Sequence, residues 1–271
     1  MHLTNIKKEK TMTYSYYPGC TLKTKAKELD RTARLCAEAL GANLCELDNW
    51  QCCGGAYTAS SDEIATKLSS VRALLEAESR EEDIITLCSA CHNVLKRVRN
   101  DLINDANFAF KVNNYVKPEK PFEGKTKVIH FLEFLRDEIG FDNLREKVVN
   151  PFTGKKIAAY YGCLLLRPSG VMDMDDPENP KILEDFIRAI GGEPVMYPYR
   201  NECCGGYVAL EDKSATVKKS EKIVASADGF GADIIITACP LCLYNLESAK
   251  GNGEVKYFTE LLATALGIKE A

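Results

Sequence analysis

The sequence predicts an α/β protein written twice, as two pseudo-symmetric duplicated α/β half-domains, and three observations predict it. First, the order Cys20, Cys52-Cys53-Gly54-Gly55, Cys88-Ser89-Ala90-Cys91 returns as Cys163, Cys203-Cys204-Gly205-Gly206, Cys239-Pro240-Leu241-Cys242. From the vicinal pair to the CxxC there are 34 residues in both halves, which marks a duplication. Second, the flanks repeat: YSYYPGC against AAYYGC, DIITLCSAC against DIIITACPLC, and VIHFLEFLRDEIG against VKYFTELLATALG. Third, short β-rich runs alternate with segments of helical period, the pattern of parallel sheets with helices on their faces.

Each element can be checked against its copy. Tyr14 to Tyr17 and Ile157 to Tyr161 are β-rich runs ended by glycine, so the first cysteine of each half falls in the loop leaving a strand. Helices follow, with Leu29, Ala33, Cys36 and Leu40 on one face in the first half and Leu183, Phe186, Ile187 and Ile190 in the second. Gly41 and Gly192 are expected to stop them. Leu44 to Leu47 and Val195 to Tyr197 read as short strands running into the Cys-Cys-Gly-Gly turns. Ser60 and Glu63 have capping-box spacing for a helix that turns Ile64, Leu68, Val71 and Leu75 to one side. The apolar runs Ile84 to Leu87 and Ile234 to Thr237 are buried strands with a CxxC at their C-terminal ends, where sites collect in such sheets.

The halves are not identical in length. The second carries eight extra residues between its first cysteine and its vicinal pair, in the acidic, Pro-rich stretch from Arg167 to Pro180. The first carries a surplus of 24 after its CxxC, roughly Lys96 to Lys120, which reads as a polar helix and a Lys/Pro loop on the outside. A first cysteine-rich domain is expected over 13–149 and a second over 155–268, joined through NPFTGKK (150–156).

Composition narrows the chemistry. A chain of 271 residues with 45% hydrophobic content can bury a core, and a net charge of −4 offers no basic excess for a nucleic-acid partner. The polar, lysine-rich start is neither a secretory signal nor an anchor, and the longest apolar run, Ile234 to Leu243, is about half of what a bilayer requires. No membrane span and a cytoplasmic location are expected. In a reducing compartment twelve cysteines point to metal ligation or catalysis rather than a disulfide framework.

Five thiols per half, two of them adjacent, fit a polynuclear centre better than zinc. Neighbouring residues point their side chains apart, which is awkward for one tetrahedral ion, whereas several irons offer separate attachment points. Gly54, Gly55, Gly205 and Gly206 would let backbone approach such a cluster and lend it amide donors. Cys36 and Cys45 correspond to Ile187 and Met196 in the repeat, so both read as buried apolar cysteines. The chain shows no GxGxxG, no flavin signature and no cubane CxxCxxC, so other proteins must deliver its electrons.

The doubled Cys, Cys-Cys-Gly, CxxC pattern resembles the cysteine-rich domain pair in the B subunit of heterodisulfide reductase and its bacterial relatives. GCLLLRPSGVMDMDDPENP followed by ECCGG carries the likeness best, and it covers nearly the whole chain. The resemblance implies cluster sites in loops at facing strand ends, each half binding one non-cubane [4Fe-4S] cluster. Cys20, Cys52, Cys53, Cys88 and Cys91 would hold the first, and Cys163, Cys203, Cys204, Cys239 and Cys242 the second. It further implies reduction of a small-molecule disulfide to two thiols, one electron coming from each cluster, with Cys53 and Cys204 in the catalytic set. The alternative is an electron relay to a quinone or other non-disulfide acceptor. Expected partners are a ferredoxin-like subunit with cubane clusters (the C-subunit type) and a flavin-containing subunit (the A-subunit type). His92, beside Cys91, and His130 are candidate proton donors, set against an ordinary role as hydrogen-bonded structural residues. Arg167 and Lys23 are candidate anchors for an anionic substrate, with a surface ion pair as the competing role for Arg167.

Overall fold

The computed structural model describes residues 11–55, 64–206, 208–249 and 251–269. The first half runs β1 (Met12–Tyr17), α1 (Gly19–Thr24), α2 (Lys27–Ala39), β2 (Ala42–Glu46), α3 (Leu68–Ser79), β3 (Ile84–Thr86), α4 (Ser89–Asn104), α5 (Ala106–Val116), β4 (Val128–His130), α6 (Phe131–Glu133) and α7 (Phe141–Lys147). A π-helical stretch, Phe134–Ile139, continues α6. The second runs β5 (Lys156–Tyr160), α8 (Ser169–Met172), α9 (Ile182–Ala189), β6 (Glu193–Val195), α10 (Lys213–Gly229), β7 (Ile234–Thr237), α11 (Pro240–Glu247), β8 (Glu254–Tyr257) and α12 (Phe258–Ala265).

Each half forms a four-stranded parallel sheet, ordered β2-β1-β3-β4 and β6-β5-β7-β8. The order is the same in both, so the duplicated α/β architecture expected from the sequence is present. The chain reverses direction across the sheet between β1 and β3, and again between β5 and β7. Such switch points open a crevice beyond the carboxyl ends of the strands. The first cysteine and the CxxC of each half leave the two strands that flank this crevice.

The strands are found within two residues of their expected places, and the departures have local causes. β2 and β6 begin earlier than their apolar residues indicate, because they are edge strands whose pairing extends into polar positions. Gly41, at φ +83°, ends α2 as expected, but in the second half the left-handed residue is Gly191, also at +83°, one place before Gly192. Cys36 is fully buried, whereas Cys45 is only half-buried and Met196 is 49% exposed. The sequence reading of Cys45 as core is thus corrected: it sits on an edge strand, where Asn43 donates to its sulfur at 3.2 Å. The Ser60/Glu63 capping box lies outside the described residues, though Leu68 and Val71 of the helix beyond it are buried.

The core does not respect the repeat. α2 of the first half packs on α12 of the second, and α9 packs on α7. Their apolar faces join one cluster in which Phe258 packs tilted against Phe131 and edge-to-face against Phe186. Each such side chain contributes about 1.5–3 kcal/mol on burial, so the halves are held as one unit by ordinary hydrophobic packing. Two smaller clusters lie under the individual sheets, and each ends on three of its own cysteines: Cys53, Cys88 and Cys91, and Cys204, Cys239 and Cys242.

Candidate metal centre

The ten repeated cysteines meet at the carboxyl ends of the two sheets. Cys88 and Cys239 are the N-cap residues of α4 and α11, with Cys91 and Cys242 in the first turns. The CxxC thiols therefore sit at helix N-termini, where partial positive charge favours thiolate. Cys20 lies in α1 rather than in a loop, and Cys163 in the turn after β5.

Within the first half, the Cys52 sulfur is 3.5 Å from that of Cys20, and Cys53 is 3.5 Å from Cys91. In the second, Cys204 is 3.6 Å from Cys242, while Cys163 hydrogen-bonds Cys203. Cys52 and Cys53, Cys91 and Cys88, Cys203 and Cys204, and Cys242 and Cys239 lie close enough to shift one another's titration. The link between the halves is electrostatic: the buried Cys88 and Cys239 thiols are near enough to push each other's titration in opposite directions, Cys88 up and Cys239 down. All ten thus form one continuous row of thiols. Distances of 3.5–3.6 Å are far beyond a disulfide bond, and every cysteine is free.

The row cannot ionise unaided. A hydrogen bond from Cys52 holds Cys53 down to about 4, and one from Cys163 holds Cys203 down to about 2. The other members rise: Cys52, Cys91, Cys163 and Cys242 are pushed up by the neighbouring thiols and by burial, and Cys204 rises to about 11. Thiolates in contact repel, so ten of them are compatible only with several cations among them. Among the described residues no three His, Cys, Asp or Glu side chains are arranged to hold a single metal ion. A row of soft donors with separate attachment points is what a polynuclear iron–sulfur centre uses, and the donor set fits such chemistry.

Backbone groups complete each cradle. The Gly205 N–H donates to Cys203 Sγ at 3.3 Å, and the Gly54 and Gly55 amides bond Cys52 and Cys53. Gly206 packs against Leu241, where an added Cβ would come within 2.8 Å. Two further glycines, outside the Cys-Cys-Gly-Gly turns, matter as much. Gly19 (φ +74°) and Gly162 (φ +66°) precede the first cysteines, and a Cβ there would lie 2.6 Å from Cys91 Sγ or 3.2 Å from Cys242 Sγ. Only glycine combines that backbone conformation with so close an approach. Tyr17 and Tyr160, both fully buried, extend their hydroxyls to the carbonyls of Gln51 and Glu202, just ahead of the vicinal pairs. These residues stand in the repeated YYPGC and YYGC flanks, where the repetition is visible in the sequence but its purpose is not.

The remaining sequence candidates are placed as follows. His92 is fully buried, its ring nitrogens unpartnered, with Glu133 Oε2 3.4 Å from Nε2 but poorly aligned for a hydrogen bond. Burial, then the neighbouring His130 and Lys96, hold its pKa well down, so the ring is neutral. His130 is likewise depressed by burial, to about 4, and its Nε2 lies 3.0 Å from the Leu87 carbonyl. Arg167 donates to Asn201 O at 3.2 Å, Pro177 O at 3.1 Å and Glu178 Oε1 at 2.9 Å. An incoming anion must displace Glu178 to reach it. Lys23 is paired with Glu46 at 2.9 Å.

A family model described as a cysteine-rich domain, CCG, matches residues 14–96 and again 157–247. An Archaeoglobus profundus protein, named for its likeness to the B subunit of heterodisulfide reductase, is 30% identical, over 88% of this chain and 81% of that protein. The chain belongs to the heterodisulfide reductase B-subunit family of paired CCG proteins. Within this family it is similar to the B subunit of the Ferredoxin:CoB-CoM heterodisulfide reductase of Methanosarcina mazei, at 27% identity over 93% of this chain and 89% of that one. It is also 29% identical, over 94% of its length and 92% of the other's, to the 8-methylmenaquinol:fumarate reductase membrane anchor subunit of Wolinella succinogenes. Among the described residues no helix is long and apolar enough to cross a membrane. The fold is shared with the crystal structure of a hypothetical protein from Helicobacter pylori (TM-score 0.74, 13% identity), covering 97% of this chain and half of that one.

Proposed function

We propose that this CCG protein is the iron–sulfur catalytic subunit of a heterodisulfide reductase-like complex that converts a small-molecule disulfide to two thiols. The supporting observation is the unbroken row of ten thiols, two complete sets of five joined through Cys88 and Cys239, in a chain of this family. Cys20, Cys52, Cys53, Cys88 and Cys91 would hold one non-cubane [4Fe-4S] cluster and Cys163, Cys203, Cys204, Cys239 and Cys242 the other. When bound, two such groups supply one electron each and an iron for each sulfur. The reaction balances as one disulfide, two electrons and two protons giving two thiols. The residues contribute geometry. Cys20 and Cys52 are exposed and Cys163 and Cys203 half-buried, so each array opens to solvent at these members and is closed behind the CxxC. Arg167 would orient an anionic substrate group, whereas His92, fully buried and held neutral, is not suited to supply the proton the sequence assigned to it. Electrons would arrive from a ferredoxin-like partner fed in turn by a flavin-containing one, and a cytoplasmic site of action belongs to the same proposal.

The second reading, a relay to a quinone or other acceptor, is favoured by the likeness to the Wolinella succinogenes menaquinol:fumarate reductase subunit. Turnover separates them. The protein complex is expected to reduce an organic disulfide with a reduced viologen dye as donor, and Cys53→Ser or Cys204→Ser to abolish this. Full disulfide reduction by either variant, or turnover of a quinone alone, overturns the first reading.

A further inference from the structure

We propose that Tyr257 and His130 are positioning residues, which together fix the separation of the two CxxC turns and hence of the two cluster sites. The inference rests on the proposed function for its cluster half and on the geometry alone for the rest.

The two residues occupy matching places at the ends of β8 and β4, and both are fully buried. Their side chains converge on the same two carbonyls. The Tyr257 hydroxyl donates to Leu87 O of the first half and lies 3.0 Å from Ala238 O of the second. His130 Nε2 lies 3.0 Å from Leu87 O and also bonds the Ala238 carbonyl. Leu87 and Ala238 are repeat equivalents, and each immediately precedes the first cysteine of a CxxC. Ser89 adds its N–H at 3.3 Å and its hydroxyl at 2.8 Å, both to Ala238 O.

A buried carbonyl left unpaired is costly, so the knot resists sliding of one strand end past the other. Its position makes that rigidity consequential: the next residues along each strand are Cys88 and Cys239, the two cysteines that couple the arrays. The backbone at each residue is itself held by a capping box, the Tyr257 N–H on Glu260 at 2.6 Å and the His130 N–H on Glu133 at 2.7 Å. Tyr and His at this position are thus two chemical answers to one demand, a rigid side chain presenting a donor to the carbonyls between the halves.

The test uses the full chain in two states. In the iron-loaded, reduced protein, Tyr257→Phe is expected to keep the wild-type iron content and at least halve the magnetic splitting between the clusters in electron paramagnetic resonance. Tyr257→His, which restores a donor, is expected to recover it. An unchanged splitting, with only a lower melting temperature, overturns the proposal, because that is what a purely structural role gives. In the metal-free protein, mild oxidation followed by peptide mapping is expected to give a Cys88–Cys239 disulfide. Its yield relative to Cys53–Cys91 and Cys204–Cys242 should fall several-fold in Tyr257→Phe, and an unchanged ratio overturns the proposal. His130→Gln, which keeps a donor, provides the same readouts should Tyr257→Phe fold poorly. A wild-type chain that binds no iron defeats the proposed function, while the disulfide ratio still decides on Tyr257.

Discussion

The two halves hold the same five cysteines in the same order, yet their surroundings have diverged. In the second half the insertion after Cys163 is locked down by a buried cluster. Arg200 pairs with Glu184 at 8% and 2% side-chain exposure, Tyr161 donates to the same carboxylate, and Arg200 also bonds Asn179 and the Pro180 carbonyl. The first half has Ala33 and Asn49 at the corresponding positions, with no such pair. The insertion is also tied across to the first half: Asn93 donates to the carbonyls of Leu164 and Arg167 at 2.8 and 2.7 Å, and Lys96 to that of Met172. The reverse tie is missing, because Tyr244, the repeat equivalent of Asn93, is 56% exposed. Duplication has kept the cysteines and let the groups around them diverge, down to Asn245, which donates to Cys204 Sγ at 3.3 Å where the first half has Val94; among the described residues only the second half's insertion is braced from across the interface.

The largest effect should come from the buried pair. Removing one partner, as in Glu184→Gln or Arg200→Met, strands the other and is expected to cost about 3–5 kcal/mol in a denaturant melt. Asn49→Ala in the first half should stay within about 0.5 kcal/mol. Equal losses would break the comparison. The glycines should separate the halves in the opposite sense. Gly19→Ala and Gly162→Ala both carry a left-handed backbone penalty of about 1–2 kcal/mol. The contact with sulfur is tighter at Gly19, 2.6 against 3.2 Å, so iron analysis should show the greater loss there. Asn93→Ala leaves two carbonyls without their donor and should cost about 1–3 kcal/mol, whereas Tyr244→Ala should be nearly silent by the same thermal melt. Smallest are the surface pairs. Lys23→Ala and Arg167→Ala should each change stability by about 0–1 kcal/mol. If Arg167 anchors substrate, its variant raises KM for an anionic disulfide and leaves kcat in place, and an unchanged KM removes that role.

Much of this is legible in the residues alone. Ile84–Thr86 and Ile234–Thr237 are short, β-branched and apolar because parallel strands are covered on both faces, so they announce themselves. The repeat then separates ten cysteines from two, and Cys36 follows its partner Ile187 into the core. Cys45 does not, because correspondence with an apolar residue says nothing about which strand lies at a sheet edge. Arg167 illustrates a different limit: its position near Cys163 is local, but the carbonyls that occupy its guanidinium come from Asn201 and Pro177, and no spacing rule foretells them.

What the sequence determined by itself was the count and pairing of the thiols, the alternation of strands and helices, and the duplication, since each is a property of neighbours along the chain. The tertiary structure alone decided that the two arrays would couple. That coupling depends on α2 and α9 burying their faces against helices of the opposite half, and on Tyr257 and His130 meeting at Leu87 and Ala238. Such pairings join residues as far apart as Cys36 and Thr259, 223 positions along the chain. They are set by packing and by the demand that buried carbonyls find donors, which local patterns do not encode.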